Sequence, residues 1–166
     1  MINLEKSNLK GADLSGAHMS KANLKGSFMR HILLKRAALN RANLEDADLE
    51  AATLDNAILE EANLSGCALQ LASLRGANLR YAKLKNANLQ GAHLENADLE
   101  HADLENALLY DVHFDGANLL DANLRGTSLK ETDLLHILRY AKNWDKARFS
   151  DHFQERLETL RLITGL

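Results

Sequence analysis

The sequence predicts an all-β solenoid, a chain wound into a four-sided coil of 20 residues with about seven coils, closed by a short C-terminal α-helical cap. Three observations predict it. A leucine-type residue stands at every fifth position from Leu4 to Leu134, and these 27 positions hold 24 Leu, Met19, Met29 and Phe114. Eight of the nine glycines share one phase of that period. Charged residues 20 apart are mostly of opposite sign.

Period five suits neither regular element. On an α-helix it advances the angle by about 140° per step and smears the leucines around the cylinder. On a flat strand an odd period sends successive leucines to opposite faces. The chain must therefore turn after each pentapeptide, and four turns of about 90° return every fifth residue to the inside. The residue two before each leucine points inward with it and must be small. It is Ala in 19 of 27 units, the exceptions being Ile2, Ser7, Ser27, Ile32, Cys67, Val112, Thr127 and Thr132. Ile32 is bulky for that site, so a bulge is expected within 27–33.

Units such as Ala42-Asn43-Leu44-Glu45-Asp46 and Ala97-Asp98-Leu99-Glu100-His101 resemble the pentapeptide-repeat family. The resemblance covers residues 2–136 and implies a right-handed quadrilateral β-helix, with 137–166 as a helical cap or dimerisation segment. It also implies one activity, because some members are rods that imitate duplex DNA and act on DNA gyrase. Mimicry calls for a sustained acidic surface, and here basic bands interrupt the acidic ones.

The corners and ladders follow from composition. Gly11, Gly16, Gly26, Gly66, Gly76, Gly91, Gly116 and Gly126 end their pentapeptides, and Asn56, Asn86, Asn96 and Asn106 share that phase. Both types tolerate the positive φ that a tight corner needs. The chain has no proline, as a continuous ladder requires. Twelve opposite-sign pairs lie at an offset of 20, among them Lys25–Glu45, Lys35–Asp55, Arg41–Glu61, Asp55–Arg75, Arg80–Glu100 and Lys85–Glu105, against four like-signed ones.

The formal net charge of −3 marks neither a nucleic-acid binder nor a polyanion. Charge is banded all the same. Residues 1–41 carry eight basic and two acidic side chains, 42–61 seven acidic and none basic, and 87–121 eight acidic and none basic. The bands either pair between coils or dock a partner. No apolar run is long enough to span a membrane. The repeat begins at Ile2, which leaves no room for a signal or transit peptide, and the cytoplasm is the expected location. Cys67 occupies an inward small position and reads as structural.

Past Leu134 the spacing changes. Leu134, Leu135, Ile137, Leu138, Ala141 and Trp144 suggest a short helix; Ser150 is the expected N-cap of a second, ending near Gly165. Trp144, Phe149, Phe153, Leu157 and Leu160 are the expected cap or dimer contacts. A second copy is expected to dock there or on the uncapped first coil. The segment Ala141–Ala147 also resembles tails that follow such repeats in cyanobacterial proteins.

Catalytic constellations are absent: no Ser/His/Asp set, phosphate-cradling loop or concave pocket is indicated. No cofactor is implied. His93, His113 and Asp133 share an outward column and are weighed as metal or ligand donors, against the simpler reading that they stand where Asn or Asp is usual. Phe28, Leu71, Leu108 and Tyr110 project outward on one side and are the expected contacts for another protein. The leading expectation is thus a non-enzymatic interaction scaffold, without direct nucleic-acid binding.

Overall fold

The computed structural model describes residues 2–165. From Asn3 to Asn123 parallel bridges join residues 20 apart, as in Asn3↔Asn23↔Asn43↔Asn63↔Lys83↔Asp103↔Asn123 and Asn8↔Phe28↔Asp48↔Ala68↔Asn88↔Leu108. Each coil has four sides, and each side contributes one bridged residue to its ladder. Coils are described below as rising toward the C-terminus.

Corners repeat a single hydrogen-bonded turn. The N–H of Ser7 donates to the carbonyl of Leu4 at 3.1 Å, and Ala62 to Leu59 at 2.9 Å. The third residue of every turn from Lys6 to Gly126 has a positive φ, in glycines and in 17 non-glycine residues alike. Asn and Asp bear this conformation cheaply, whereas for bulky residues it costs about 1–2 kcal/mol. Leu71 (φ 58°) and Tyr81 (φ 57°) therefore hold a strained backbone.

Inside runs one apolar column. Leu24 through Leu109 are fully buried, with alanines stacked between them, and each buried Leu contributes roughly 2 kcal/mol gross. Ile32 is 0% exposed, and the ladders Asn8↔Phe28 and Asp13↔Leu33 pass it unbroken. The expected bulge is not there; the side chain is absorbed into the column, with fully buried Met29 beside it in place of a branched Leu. Cys67 is buried and its thiol donates to the Leu44 carbonyl, so the structural reading of this residue stands on geometry.

The chain leaves the coil before Leu134. Helix α1 spans Glu131–Tyr140, and its first turn is stapled by the Lys130 N–H donating to the Asp133 carboxylate. Leu134 keeps the period of five but lies in α1, burying itself with Ile137 and Leu138 at i, i+3 and i+4. The helix thus begins six residues ahead of position 137. The chain then rejoins the last coil. Lys142 bridges Asn118, and strand β1 (Asn123–Leu124) pairs in parallel with β2 (Arg148–Phe149). Ala147-Arg148-Phe149 repeats the small-outward-bulky grammar, with Ala147 and Phe149 buried and Arg148 exposed.

Helix α2 (Asp151–Thr164) follows, ended by Gly165 at φ 68°. Ser150 stands at its N-cap, yet its hydroxyl accepts from the Gly126 N–H at 2.9 Å instead of capping the helix. Phe149, Leu157 and Leu160 are buried, and Trp144 and Phe153 pack half-buried against the same core. These five side chains close the upper end of the column, where exposed ladder edges would otherwise invite aggregation. Among the described residues, no helix is long and apolar enough to cross a membrane.

Candidate functional site

Three residues of each pentapeptide face outward, so the sides and corners of the rod are the surface available for function. Most of its charge is spent between coils. Lys25–Glu45 (2.7 Å), Arg30–Glu50 (2.9 Å), Arg41–Glu61 (2.9 Å), Arg75–Glu95 (3.2 Å), Arg80–Glu100 (2.7 Å) and Lys85–Glu105 (2.8 Å) are ion pairs. In all six the base is on the lower coil. Arg30, Arg80 and Lys85 also reach a carboxylate 18 residues on, Asp48, Asp98 and Asp103.

Six of the twelve expected pairs do not close, and the turn geometry accounts for this in two of them. Side chains at the first turn position lean up onto the next coil and reach its mid-side residue. Glu5 therefore accepts from Asn23 Nδ2 at 3.0 Å, and Asp55 from the Ser73 hydroxyl, and neither closes on Lys25 or Arg75. The hydrogen bond from Lys25 holds the Glu45 carboxyl below its ordinary 4.5, and that from Arg41 does the same for Glu61.

The four expected contact residues do not form one patch. Phe28 and Leu108 share a ladder but are four coils apart, about 19 Å at the usual strand spacing, with Asp48, Ala68 and Asn88 between. Leu108 and Tyr110 are neighbours on one coil. Leu71 sits two coils below on the adjoining corner and leans over Gly91, where a Cβ would meet its Cδ2 at 2.8 Å. The Lys130 ammonium lies 5.4 Å from the centre of the Tyr110 ring. Exposures are 56% for Phe28, 64% for Leu71, 41% for Leu108 and 39% for Tyr110.

The proposed donor column breaks at its top. His93 and His113 do stack, with ring centres 4.6 Å apart and planes 8° from parallel. His93 Nδ1 is shared by Arg75 at 2.8 Å and Glu95 at 3.0 Å. Asp133 is out of register because α1 carries it away, and its carboxylate serves the Lys130 N–H. Among the described residues, no three His, Cys, Asp or Glu are grouped closely enough to hold a metal ion. A second stack, Tyr81 on His101 at 4.8 Å, has the strained corner at Tyr81 as its base. Only the offset of 20 between these two residues foreshadowed it.

A four-sided rod with a packed interior and flat outer faces defines a repeat-protein scaffold, whose chemistry lies on its sides. The chain belongs to the pentapeptide-repeat family: eight copies of the pentapeptide repeats match across residues 2–36, 32–70, 72–109 and 107–136. The fold is that family's right-handed quadrilateral β-helix. Solved structures like it include a pentapeptide repeat protein from the cyanobacterium Nostoc PCC 7120, 29% identical over 68% of this chain and 84% of that one, with TM-score 0.49. HetL from the same strain, a pentapeptide repeat protein involved in heterocyst differentiation regulation, is 26% identical over 89% and 86%, with TM-score 0.28. QnrB1, a plasmid-mediated fluoroquinolone resistance protein, is 18% identical over 97% and 85%, with TM-score 0.44. Among proteins of curated function, none matches the chain.

Proposed function

We propose that the protein is a non-enzymatic scaffold that binds another protein through its solenoid sides, with Leu71, Leu108 and Tyr110 as one contact edge and Phe28 as a separate point. The carrying observation is Leu71. It is 64% exposed and sits at φ 58°, on a corner where the rest of the fold largely uses Gly, Asn and polar residues. Equivalent corners beneath a glycine are filled by Asp46 under Gly66 and Asn56 under Gly76, so the turn does not require a large aliphatic group there. Strain kept at an exposed apolar residue supports a binding role, because binding is what such a group offers.

DNA mimicry is supported less. Six of the eight carboxylates of the acidic band 87–121 are already engaged by a base: Glu95 by Arg75, Asp98 and Glu100 by Arg80, Asp103 and Glu105 by Lys85, and Asp111 by Lys130. A DNA-like surface would present them free. The scaffold reading is tested by affinity capture from a cyanobacterial lysate, comparing wild type with Phe28→Ser/Leu71→Ser/Leu108→Ser/Tyr110→Ser. A partner held by the wild type and lost by the folded variant supports it. A supercoiling assay in which the protein acts on DNA gyrase would replace it.

A further inference from the structure

Charge pairing is uneven along the rod, and a group of cations without an ion pair among the described residues falls inside the basic band of residues 1–41. Arg75, Arg80 and Lys85 each hold a carboxylate on the coil above. In the first two coils, Lys6, Lys10, Lys35 and Arg36 hold none among the described residues. The two carboxylates of residues 1–41 form no ion pair with them, since Glu5 accepts from Asn23 and Asp13 accepts from the Ser15 N–H at 3.0 Å; both keep their charge, and the four cations outnumber them.

These four cations surround two exposed apolar residues. Phe28 and Leu33 lie mid-side on adjacent sides of one coil and are 56% and 38% exposed. On the coil below, Lys6 and Lys10 stand at the two corners of the Phe28 side. Lys6 lies close under Gly26, where a Cβ would be 3.5 Å from its Cγ. Lys35 and Arg36 form the far corner of the Leu33 side and line a recess of about 590 Å³ with Ser15, Gly16, Asp55 and Asn56. Asp55 closes no ion pair with either cation; it accepts from the Ser73 hydroxyl and keeps its charge, so the recess holds two cations against one carboxylate.

We infer that this two-sided patch is a docking surface for an acidic segment of a partner protein that carries apolar side chains. The inference rests on the scaffold reading and specifies the partner's chemistry at a place distinct from the Leu71–Leu108–Tyr110 edge. The partner's carboxylates meet Lys6, Lys10, Lys35 and Arg36 while an apolar side chain covers Phe28 and Leu33. An aromatic or aliphatic centre with a charged rim is how protein interfaces are built. The rim steers association and makes it salt-dependent. A single-stranded nucleic acid fits less well. It needs a basic groove with several stacking aromatics, and here one Phe stands beside a convex corner.

The test is equilibrium binding to three labelled probes: a short peptide of repeating Glu-Glu-Leu, polyglutamate of equal length, and an oligothymidylate. The Glu-Glu-Leu peptide is expected to bind wild type most tightly and to weaken as salt rises. Lys6→Ala/Lys10→Ala/Lys35→Ala/Arg36→Ala and Phe28→Ala are each expected to weaken it about tenfold, a change of roughly 1.4 kcal/mol. Lys83→Ala, on another side of the rod, should leave it unchanged, with circular dichroism confirming that every variant is folded. The inference is overturned if the oligothymidylate binds better, if the variants bind like wild type, or if no probe binds. If these probes fail while wild type still captures a partner that Leu71→Ser/Leu108→Ser/Tyr110→Ser loses, this patch alone is sunk. If wild type captures no partner, or that triple variant keeps it, the scaffold reading is sunk as well.

Discussion

The side chain of Leu71 leans up over Gly91, its Cδ2 lying 2.8 Å from where a Cβ on Gly91 would stand. The same arrangement recurs with Asn56 under Gly76 and Asp46 under Gly66. Asparagine thus fits the corner beneath a glycine and relaxes the left-handed strain that leucine bears there. Leu71→Asn is expected to stabilise the protein by up to about 1 kcal/mol, raising the melting temperature by roughly 2–4 °C. Thermal unfolding followed by circular dichroism measures it; an equal or lower melting temperature would remove the strain argument.

Gly91→Ala should act in the opposite direction. The new Cβ would meet the movable end of Leu71, so the steric part is small, but φ is 65° and the alanine must hold a left-handed backbone. A loss of about 1–2 kcal/mol in urea unfolding is expected. In the Leu71→Asn background the loss should persist, because its main source is the Gly91 backbone.

The interior column predicts a gradient of sensitivity. Leu64 is 0% exposed, with coils above and below it, whereas Leu4 in the first coil is only partly buried. Leu64→Ala is expected to cost about 2–5 kcal/mol and Leu4→Ala distinctly less. Equal losses in denaturant unfolding would contradict a continuous column with a weaker first coil.

Burial pushes the Cys67 thiol up to about 12. The thiolate is the reactive form, so native protein should label with Ellman's reagent only as fast as it opens, and denatured protein at once. Rapid labelling of the native state would show that the coil around Leu44 opens readily.

Glu45 and Glu61 are held below 4.5 by Lys25 and Arg41. A carboxyl depressed in the folded state binds its proton more readily when unfolded. Its contribution is therefore complete above about pH 4.5 and is lost as pH falls through the depressed value. The melting temperature should drop over that acidic range, and Lys25→Ala/Arg41→Ala should make the drop shallower. These pairs are exposed, so the change is a small part of the whole.

The coil itself could be read from residues because its signal repeats. Leu4 to Leu129 set the inside, the alanines two before them set the clearance, and Lys25–Glu45 or Lys85–Glu105 set the offset of 20. The C-terminal end could not. Leu134 satisfies both the period of five and the i, i+3, i+4 spacing of α1, and a single residue cannot choose between them. Ala147-Arg148-Phe149 returns to the repeat grammar after α1, but one unit at an offset of 25 from its ladder partners has no periodicity to announce it. The candidate site was partly visible. Outward apolar residues such as Phe28 and Leu108 follow from the phase. The strain at Leu71, the free cations around Phe28 and the displacement of Asp133 depend on how side chains lean between coils.

The most direct test of the central claim uses one substitution and two readouts. Leu71→Asn is compared with wild type for melting temperature and for retention of whatever partner the wild type captures. A variant that melts higher and binds more weakly is the predicted result, since the leucine is then kept for binding at the expense of stability. A variant that melts higher and retains the partner unchanged would contradict the claim that this edge of the rod is where the protein works.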